Sequence, residues 1–182
     1  SPQALPVLQA LDIVDDDTGG EAVRVVSVEQ GAFGTARIRA DGGLSFYVRA
    51  DALEALRGVP AFPEPGQVLS ADWMDALERA DEASRAAYKG LELLSRAEHT
   101  RFLLSRKLAA RDFSDRAVAL ALDLLEGEGA LSRERYAEAW LRSRLSRGGK
   151  GPAALLAGLL ARGGAGELAR PTLARLFGPA AR

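Results

Sequence analysis

Three glycines, a lysine and a proline occupy Gly148–Pro152, between an arginine-rich segment and an apolar one. A glycine-rich loop with a lysine can cradle phosphate, but the Walker type follows a strand and ends in lysine and a hydroxyl residue. Here Gly151 replaces the hydroxyl residue, Arg144 replaces the first glycine, and the preceding segment has a helical pattern. The sequence therefore predicts a hinge, in which the glycine pair caps one helix and Pro152 begins the next. Anion binding by the amides before Pro152 ranks below this capping role.

Other residues that could support catalysis are few. His99 lies near Ser95 and Glu98 at a helix end, where a lone histidine is more often a cap or a surface residue than a general base. Glu134 and Glu138 have the spacing of metal-bundle glutamates but lie among arginines, which favours ion pairing within the helix. The chain has no cysteine and one histidine, which leaves little for a transition metal. We expect no enzymatic activity, no cofactor and no metal.

The charge of the chain is divided unevenly. Residues 1–82 contain 6 basic and 15 acidic residues, whereas residues 83–182 contain 18 basic and 10 acidic ones. Such asymmetry indicates two modules and an acidic or polyanionic partner for the second. The alternative is that these charges only solvate helix faces.

The 182-residue sequence predicts neither a membrane span nor a signal peptide. Charged residues interrupt every apolar segment, and the first residues lack the pattern of a signal peptide. We therefore expect a cytoplasmic protein without membrane contact.

The first part of the chain has a strand pattern. Segments 22–28, 35–40 and 44–49 are short, rich in β-branched or aromatic residues, and roughly alternating. Phe33–Gly34 and Asp41–Gly43 separate them and supply the positive-φ residues of tight turns. The sequence predicts a three-stranded antiparallel meander.

A short helix and a loop follow the predicted strands. Asp51 is the expected helix cap, Glu54 completes a capping box, and Gly58 ends the helix. Residues 59–67 form a proline-rich loop, and Ser70 is expected to cap the next helix.

From about residue 83 the pattern is helical throughout. Ser114 and Ser132 are predicted caps, and Gly127 is a predicted helix end. Two expected apolar stripes comprise Ala87, Tyr88, Leu91 and Leu94, and Tyr136, Trp140, Leu141 and Leu145. Pro171 should be tolerated only in a first turn or at a kink of the last helix.

These helices show an internal repeat. A shift of 51 residues pairs Leu104 with Leu155, Leu108 with Leu159, Arg111 with Arg162, Leu122 with Leu173 and Leu125 with Leu176. The predicted fold is mainly α, with tandem three-helix repeats preceded by a small α+β N-terminal module that holds a short antiparallel sheet. The expected divisions are a flexible acidic tail at 1–20, the N-terminal module at 21–82, and repeats at 83–130 and 131–178.

The helix–hinge–helix segment resembles the RecX family, bacterial regulatory proteins that restrain the RecA recombinase. The resemblance covers residues 22–177 and is most specific at the Gly-x-Gly-Pro joint with its arginine-rich approach. Its positions there are Gly129, Leu131, Arg135, Tyr136, Ala137, Trp140, Arg142, Arg144, Gly149, Gly151, Pro152, Leu159, Arg162 and Gly163. In the first repeat they are Leu94, Arg96, Leu104, Lys107, Leu108 and Phe113.

The sequence departs from the family pattern at three places. Ser132–Arg133 replaces an acidic pair, and Gly158 stands where the family usually has glutamate. Typical members also carry a third three-helix repeat after the two found here, so full inhibitory activity is not expected from the resemblance alone.

The resemblance implies a regulator without catalysis that lies in the groove of the filament formed by RecA on single-stranded DNA. It would impede filament growth and reduce ATP hydrolysis, strand exchange and LexA cleavage. The expected partner-binding residues are Arg135, Arg142, Arg144, Arg147 and Lys150, with Arg106, Lys107 and Arg111 as a second patch.

Further expectations are a monomer and a weak contact with single- or double-stranded DNA. One alternative is a nucleic-acid-binding helical-repeat module that acts without RecA, and another is a general helical-repeat adaptor.

Overall fold

The computed structural model of the protein describes residues 21–177. The strands are β1 (Val25–Gln30), β2 (Thr35–Ala40) and β3 (Leu44–Arg49). The helices are α1 (Ala50–Arg57), α2 (Ala71–Leu94), α3 (Arg101–Ala109), α4 (Asp115–Gly127), α5 (Arg133–Leu145), α6 (Pro152–Leu160) and α7 (Gly166–Phe177). The predicted fold class is confirmed: a small antiparallel sheet precedes two sets of helices. The predicted tail at 1–20 lies outside the described residues.

The three strands form the predicted antiparallel meander in the order β1–β2–β3. Phe33 and Gly34 have φ angles of 57° and 69° in the first turn, as expected. The predicted bounds of β1 were wrong, because the residues before Val25 pair elsewhere. Val23 accepts a hydrogen bond from the amide of Leu69 at 2.8 Å. The strand therefore begins three residues later than its apolar pattern indicates.

Helix α2 covers both the inner face and one edge of the sheet. The inner face contributes the buried side chains of Val25, Ala36, Ile38, Phe46 and Val48. At the edge, the carboxylate of Asp81 accepts a hydrogen bond from the amide of Tyr47 at 2.7 Å. The hydroxyl of Ser84 accepts one from the amide of Arg49 at 3.0 Å. These buried polar side chains satisfy strand amides that lack a neighbouring strand.

The predicted division between residues 82 and 83 falls inside α2, which runs unbroken over 24 residues. Its N-terminal half packs into the core beneath the sheet, and its C-terminal half packs into the core of the first repeat. The sheet and the first repeat therefore share one helix instead of being joined by a linker.

The predicted cap of α1 was also wrong. The helix begins at Ala50, and its cap residue is Arg49, which makes no side-chain capping bond. The Asp51 carboxylate instead accepts hydrogen bonds from Arg49 Nε at 2.9 Å and Nη2 at 2.7 Å. Arg49 Nη2 also reaches Glu128 at 2.8 Å, and these carboxylates, Asp51 first, raise the pKa of Arg49. Gly58 ends the helix with a φ of 80°, as predicted.

The 51-residue repeat appears in the helix bounds themselves. The start and end of α6 are displaced by 51 residues from those of α3, and α7 starts 51 residues after α4. Arg111 and Arg162 each donate to the carbonyl four residues earlier, at 2.6 and 2.9 Å. The residues that follow them, Asp112 and Gly163, have φ angles of 62° and 73°. Equivalent positions therefore share both contacts and backbone conformation, which is typical of a true repeat.

The two repeats pack through the start of α3. Thr100 caps α3 and also donates its hydroxyl hydrogen to the carbonyl of Arg162 at 2.6 Å. Leu103 packs against the core of the second repeat. A Cβ at Gly163 would lie 2.6 Å from the Cβ of Phe102, so this position requires glycine for space as well as for its positive φ.

The predicted serine caps are confirmed, and of the two places predicted for Pro171, a first turn or a kink, the structure excludes the first turn. Ser70, Ser114 and Ser132 each accept a hydrogen bond from the amide three residues later. Pro171 lies at the sixth position of α7, beyond the first turn. It therefore costs the helix one interior hydrogen bond.

Candidate partner-binding surface

The joint between α5 and α6 is a pair of helix ends, as predicted. Gly148 and Gly149 have φ angles of 70° and 95°, and the amide of Gly148 bonds to the carbonyl of Leu145 at 3.2 Å. Gly151 is the cap residue of α6 and Pro152 occupies its first turn. The element before the glycines is a helix, whereas a Walker-type loop follows a strand. The glycines are thus explained by the left-handed backbone at the end of α5.

Arg135 has a role inside the fold that the sequence did not indicate. Its Nε donates to the Glu98 carboxylate at 2.8 Å, and its Nη2 donates to the carbonyls of Gly129 and Ala130, both at 2.8 Å. The guanidinium therefore ties the loop before α5 to the first repeat. Substituting Arg135 would disturb this connection, so Arg135 is a poor probe of partner binding.

Arg142 is exposed but paired. Its guanidinium donates to one oxygen of Glu138, and the other oxygen of Glu138 accepts from Arg175 of α7 at 2.9 Å. The predicted ion pairing of Glu138 within its helix is thus confirmed. Because side chains of this pair remain in contact with water, solvent screening keeps its contribution to stability small.

Arg144 lies on a different face of α5 from Arg142, since two residues correspond to about 200° around a helix. Its guanidinium is 5.5 Å from the ring centroid of Trp140, and that of Arg162 is 5.6 Å from the same centroid. These distances allow cation–π attraction. Arg162 was not among the predicted binding residues, although its 51-residue equivalence to Arg111 could have indicated it.

Arg147 and Lys150 are exposed at the joint. Within residues 21–177, neither they nor Arg144 make an ion pair. We call Arg144, Arg147 and Lys150 the joint patch. Cations are favoured at the C-terminal end of a helix such as α5, so the patch requires no carboxylate to hold it.

The three residues of the second predicted patch have different neighbours in the fold. Arg106 and Lys107 lie in the last turn of α3, where the guanidinium of Arg106 is 5.8 Å from the ring centroid of Phe102. Arg111 follows the helix and lines a groove together with Tyr88 and Phe113. The guanidinium of Arg111 also donates to the carbonyl of Lys107 at 2.6 Å.

His99 is buried, so the expectation of a cap or surface histidine was wrong. Its Nδ1 lies 2.7 Å from the carbonyl oxygen of Ala97, and its Nε2 lies 2.8 Å from Lys107 Nζ. A neutral ring that donates from Nδ1 and accepts from the ammonium satisfies both contacts. Burial, followed by the charge of Lys107, lowers the pKa of His99.

Lowering the pH from about 7.5 to about 5.5 is therefore expected to decrease the free energy of unfolding. The unfolded chain takes up the histidine proton first, because the folded pKa lies below the ordinary value of 6.5. The stabilisation that comes from keeping His99 neutral is present above the ordinary pKa of 6.5, and it is lost as the pH falls from there towards the folded pKa. Urea unfolding of the wild type and of His99→Gln across this range measures the effect, and equal pH dependence in both proteins would contradict it.

Comparison with known proteins identifies the family. Residues 134–170, from α5 through the joint into α7, match the sequence profile of the second three-helix domain of RecX. A regulatory protein RecX of Mycobacterium sp. (strain JLS) is 35% identical over 122 residues, which are 67% of this chain and 66% of that protein. The chain belongs to the RecX family. The RecX resemblance seen in the sequence is thereby confirmed.

Other RecX proteins match over shorter stretches. The regulatory protein RecX of Pseudomonas putida (strain W619) is 49% identical over 63 residues, which are 35% of this chain and 40% of the relative. Against the relatives from Chromohalobacter salexigens and Halorhodospira halophila, the chain spans 54% and 50% of their length. A crystal structure of a regulatory protein RecX shares the fold, with a TM-score of 0.65 and 23% identity over 85% of this chain and 74% of that one.

Gly158, where the sequence resemblance led us to expect glutamate, packs closely against Trp140. A Cβ at this position would lie 2.8 Å from Cη2 and 2.9 Å from Cζ2 of Trp140. Any larger residue would therefore displace the indole that Arg144 and Arg162 flank. The glycine keeps this ring against α6.

Between residues 21 and 177, no helix is both long and apolar enough to cross a bilayer. The same residues contain no group of three or more side chains suited to holding a metal ion.

Proposed function

We propose that this protein binds the filament of RecA on single-stranded DNA and lowers the recombinase, ATPase and coprotease activities of RecA. The observation that supports the proposal most directly is the position of the joint patch. Its three cations, of which Arg147 and Lys150 are exposed, lie within residues 134–170, the stretch that matches the second three-helix domain of RecX.

The chemistry of the joint patch suits an acidic surface. A cation that is already paired must give up its carboxylate before it contacts a partner, which reduces the gain from binding. Arg144, Arg147 and Lys150 have no such partner within the described residues. Charges of this kind guide association and fix the orientation of a partner. Phosphates or acidic side chains along a filament groove would supply the complementary charge.

In this proposal the protein acts in homologous recombination, DNA repair and the SOS response. It works in the cytoplasm as a monomer, without a cofactor, and touches single- or double-stranded DNA only weakly. Inhibition then follows from occupying the groove, with no chemical step.

The proposal is tested by measuring binding of the wild-type protein to three surfaces: the RecA filament, RecA alone and bare single-stranded DNA. We expect the filament to be bound at least about tenfold more tightly than bare DNA, because only the filament offers protein and phosphate together. RecA ATP hydrolysis should fall over the same concentration range. Equal affinity for filament and bare DNA would favour the alternative of a nucleic-acid-binding module that acts without RecA.

A further inference from the structure

A groove of about 530 Å³ opens where the sheet, α2 and the segment between α3 and α4 meet. Its apolar walls are the rings of Tyr47, Tyr88 and Phe113, and Arg85, Lys89 and Arg111 stand around them. These residues come from β3, α2 and the α3–α4 segment. The groove is therefore a product of the tertiary fold, remote in sequence from the joint patch.

Two of the aromatic rings face solvent. Tyr88 is 65% exposed and Tyr47 is 36% exposed, so the prediction that Tyr88 lies on the apolar stripe of α2 was wrong. The core side of α2 uses small residues at this level instead, since Ala87 is fully buried and a Cβ at Gly90 would meet Leu125 at 2.6 Å. Helices α2 and α4 approach each other so closely at Gly90 that a tyrosine has no room between them.

The walls of the groove are held in place from both sides of α2. On one side, Asp81 accepts the hydrogen bond from the amide of Tyr47. On the other, the Glu82 carboxylate accepts from the amide and the hydroxyl of Ser114 at 2.7 and 2.8 Å, next to Phe113. A preformed site loses less conformational entropy when it binds.

The charges around the groove are mostly basic but include carboxylates. Arg85 pairs with Asp81, and Lys89 Nζ lies 2.7 Å from Glu92. Lys89 first, and then Arg96 and Arg111, lower the pKa of Glu92. The guanidinium of Arg111 itself donates to a backbone carbonyl, and no carboxylate pairs with it within residues 21–177. The groove thus has apolar walls, and the charged residues around it carry a net positive charge.

We propose that this groove binds a protein segment in which one bulky apolar side chain is flanked by acidic residues. The apolar side chain would pack against Tyr88 and Phe113, and a neighbouring carboxylate would pair with Arg111. Tyrosine and arginine around an apolar centre are the residue types that dominate binding energy at protein interfaces. A single-stranded nucleic acid suits the groove less well, because it carries a phosphate at every nucleotide, whereas Arg85 and Lys89 are already paired with carboxylates and Arg111 alone of the three cations has none within residues 21–177. This surface does not depend on the proposed binding of RecA through the joint patch.

The proposal is tested by selecting binders from a phage-displayed library of random short peptides with the full chain as bait. We expect enriched sequences with a phenylalanine, leucine or tryptophan flanked by aspartate or glutamate. Tyr88→Ala and Arg111→Glu should each weaken the selected peptides by at least about tenfold. Tyr88→Phe should retain the affinity. Arg116→Glu, which makes the same change of charge at an exposed residue of α4 outside the groove, should also retain it.

Circular dichroism establishes that Tyr88→Ala remains folded, as expected for a side chain that is 65% exposed. Enrichment of peptides without acidic residues would overturn the proposal, as would peptides that bind both groove variants like the wild type, or no enrichment at all. Binding of a thymidine oligonucleotide that these variants abolish, in place of peptide binding, would overturn it in favour of a nucleic-acid site.

Discussion

Replacing Arg144, Arg147 and Lys150 with glutamate in one variant is expected to weaken binding to the RecA filament by at least about tenfold. Arg147 and Lys150 are exposed at the joint and Arg144 is partly exposed, and within residues 21–177 none of the three is engaged by a carboxylate. Reversing them removes the proposed attraction to phosphates or acidic side chains along the filament groove and replaces it with repulsion. Filament binding measured by fluorescence anisotropy, together with RecA ATP hydrolysis, gives the size of the effect. Wild-type binding should also fall as salt rises.

A control variant separates this local effect from the change in net charge. Arg39, Arg116 and Arg170 are exposed arginines outside the joint, and changing all three to glutamate alters the charge by the same amount. The control should bind the filament much more tightly than the joint variant, while circular dichroism should show that both remain folded. If both variants lose affinity equally, binding depends on overall charge. If the joint variant inhibits RecA normally, the joint patch is not the binding surface.

Leu125→Ala is expected to lower the free energy of unfolding by about 2–5 kcal/mol, the usual range for a leucine removed from a packed core. Leu125 is fully buried in the core of the first repeat. Its Cδ1 occupies the place next to Gly90 where α2 and α4 pack against each other. Urea unfolding followed by circular dichroism measures the loss.

The same contact predicts that the effect of Gly90→Ala on the free energy of unfolding changes sign when Leu125 is replaced. In the wild type, Gly90→Ala should destabilise the protein, because the new Cβ would lie 2.6 Å from Leu125 Cδ1. In the Leu125→Ala background that obstacle is gone, and alanine gains about 1 kcal/mol over glycine in a helix. Gly90→Ala should then stabilise the protein. Leu122→Ala is the matched control, since Leu122 is buried in the same core but does not approach Gly90. An unchanged effect of Gly90→Ala in both backgrounds would show that α2 and α4 are not packed as described.

Features that depend on neighbouring residues were predictable from the sequence. The caps Ser70, Ser114 and Ser132 could be found because a side chain and an amide three residues away decide the start of a helix. The glycines at the joint could be interpreted because a left-handed backbone strongly favours glycine over residues with a Cβ. The repeat could also be detected, because the same spacing of apolar residues recurs in both units.

The part played by each charged or polar side chain could be established only from the tertiary structure. Nothing in the helical pattern of α2 distinguishes Asp81 and Ser84 from solvent-facing residues. The strand amides that donate hydrogen bonds to them lie more than thirty positions away in the sequence. Arg135 resembles the arginines of the joint patch in sequence, yet its guanidinium is occupied by Glu98 and two carbonyls.

Tyr88 has the spacing of a core residue, yet it is exposed. The sequence by itself thus determined the family, the helices and where the chain turns. Whether a side chain is paired, buried or available to a partner depended on groups brought near it by folding, which local periodicity does not encode.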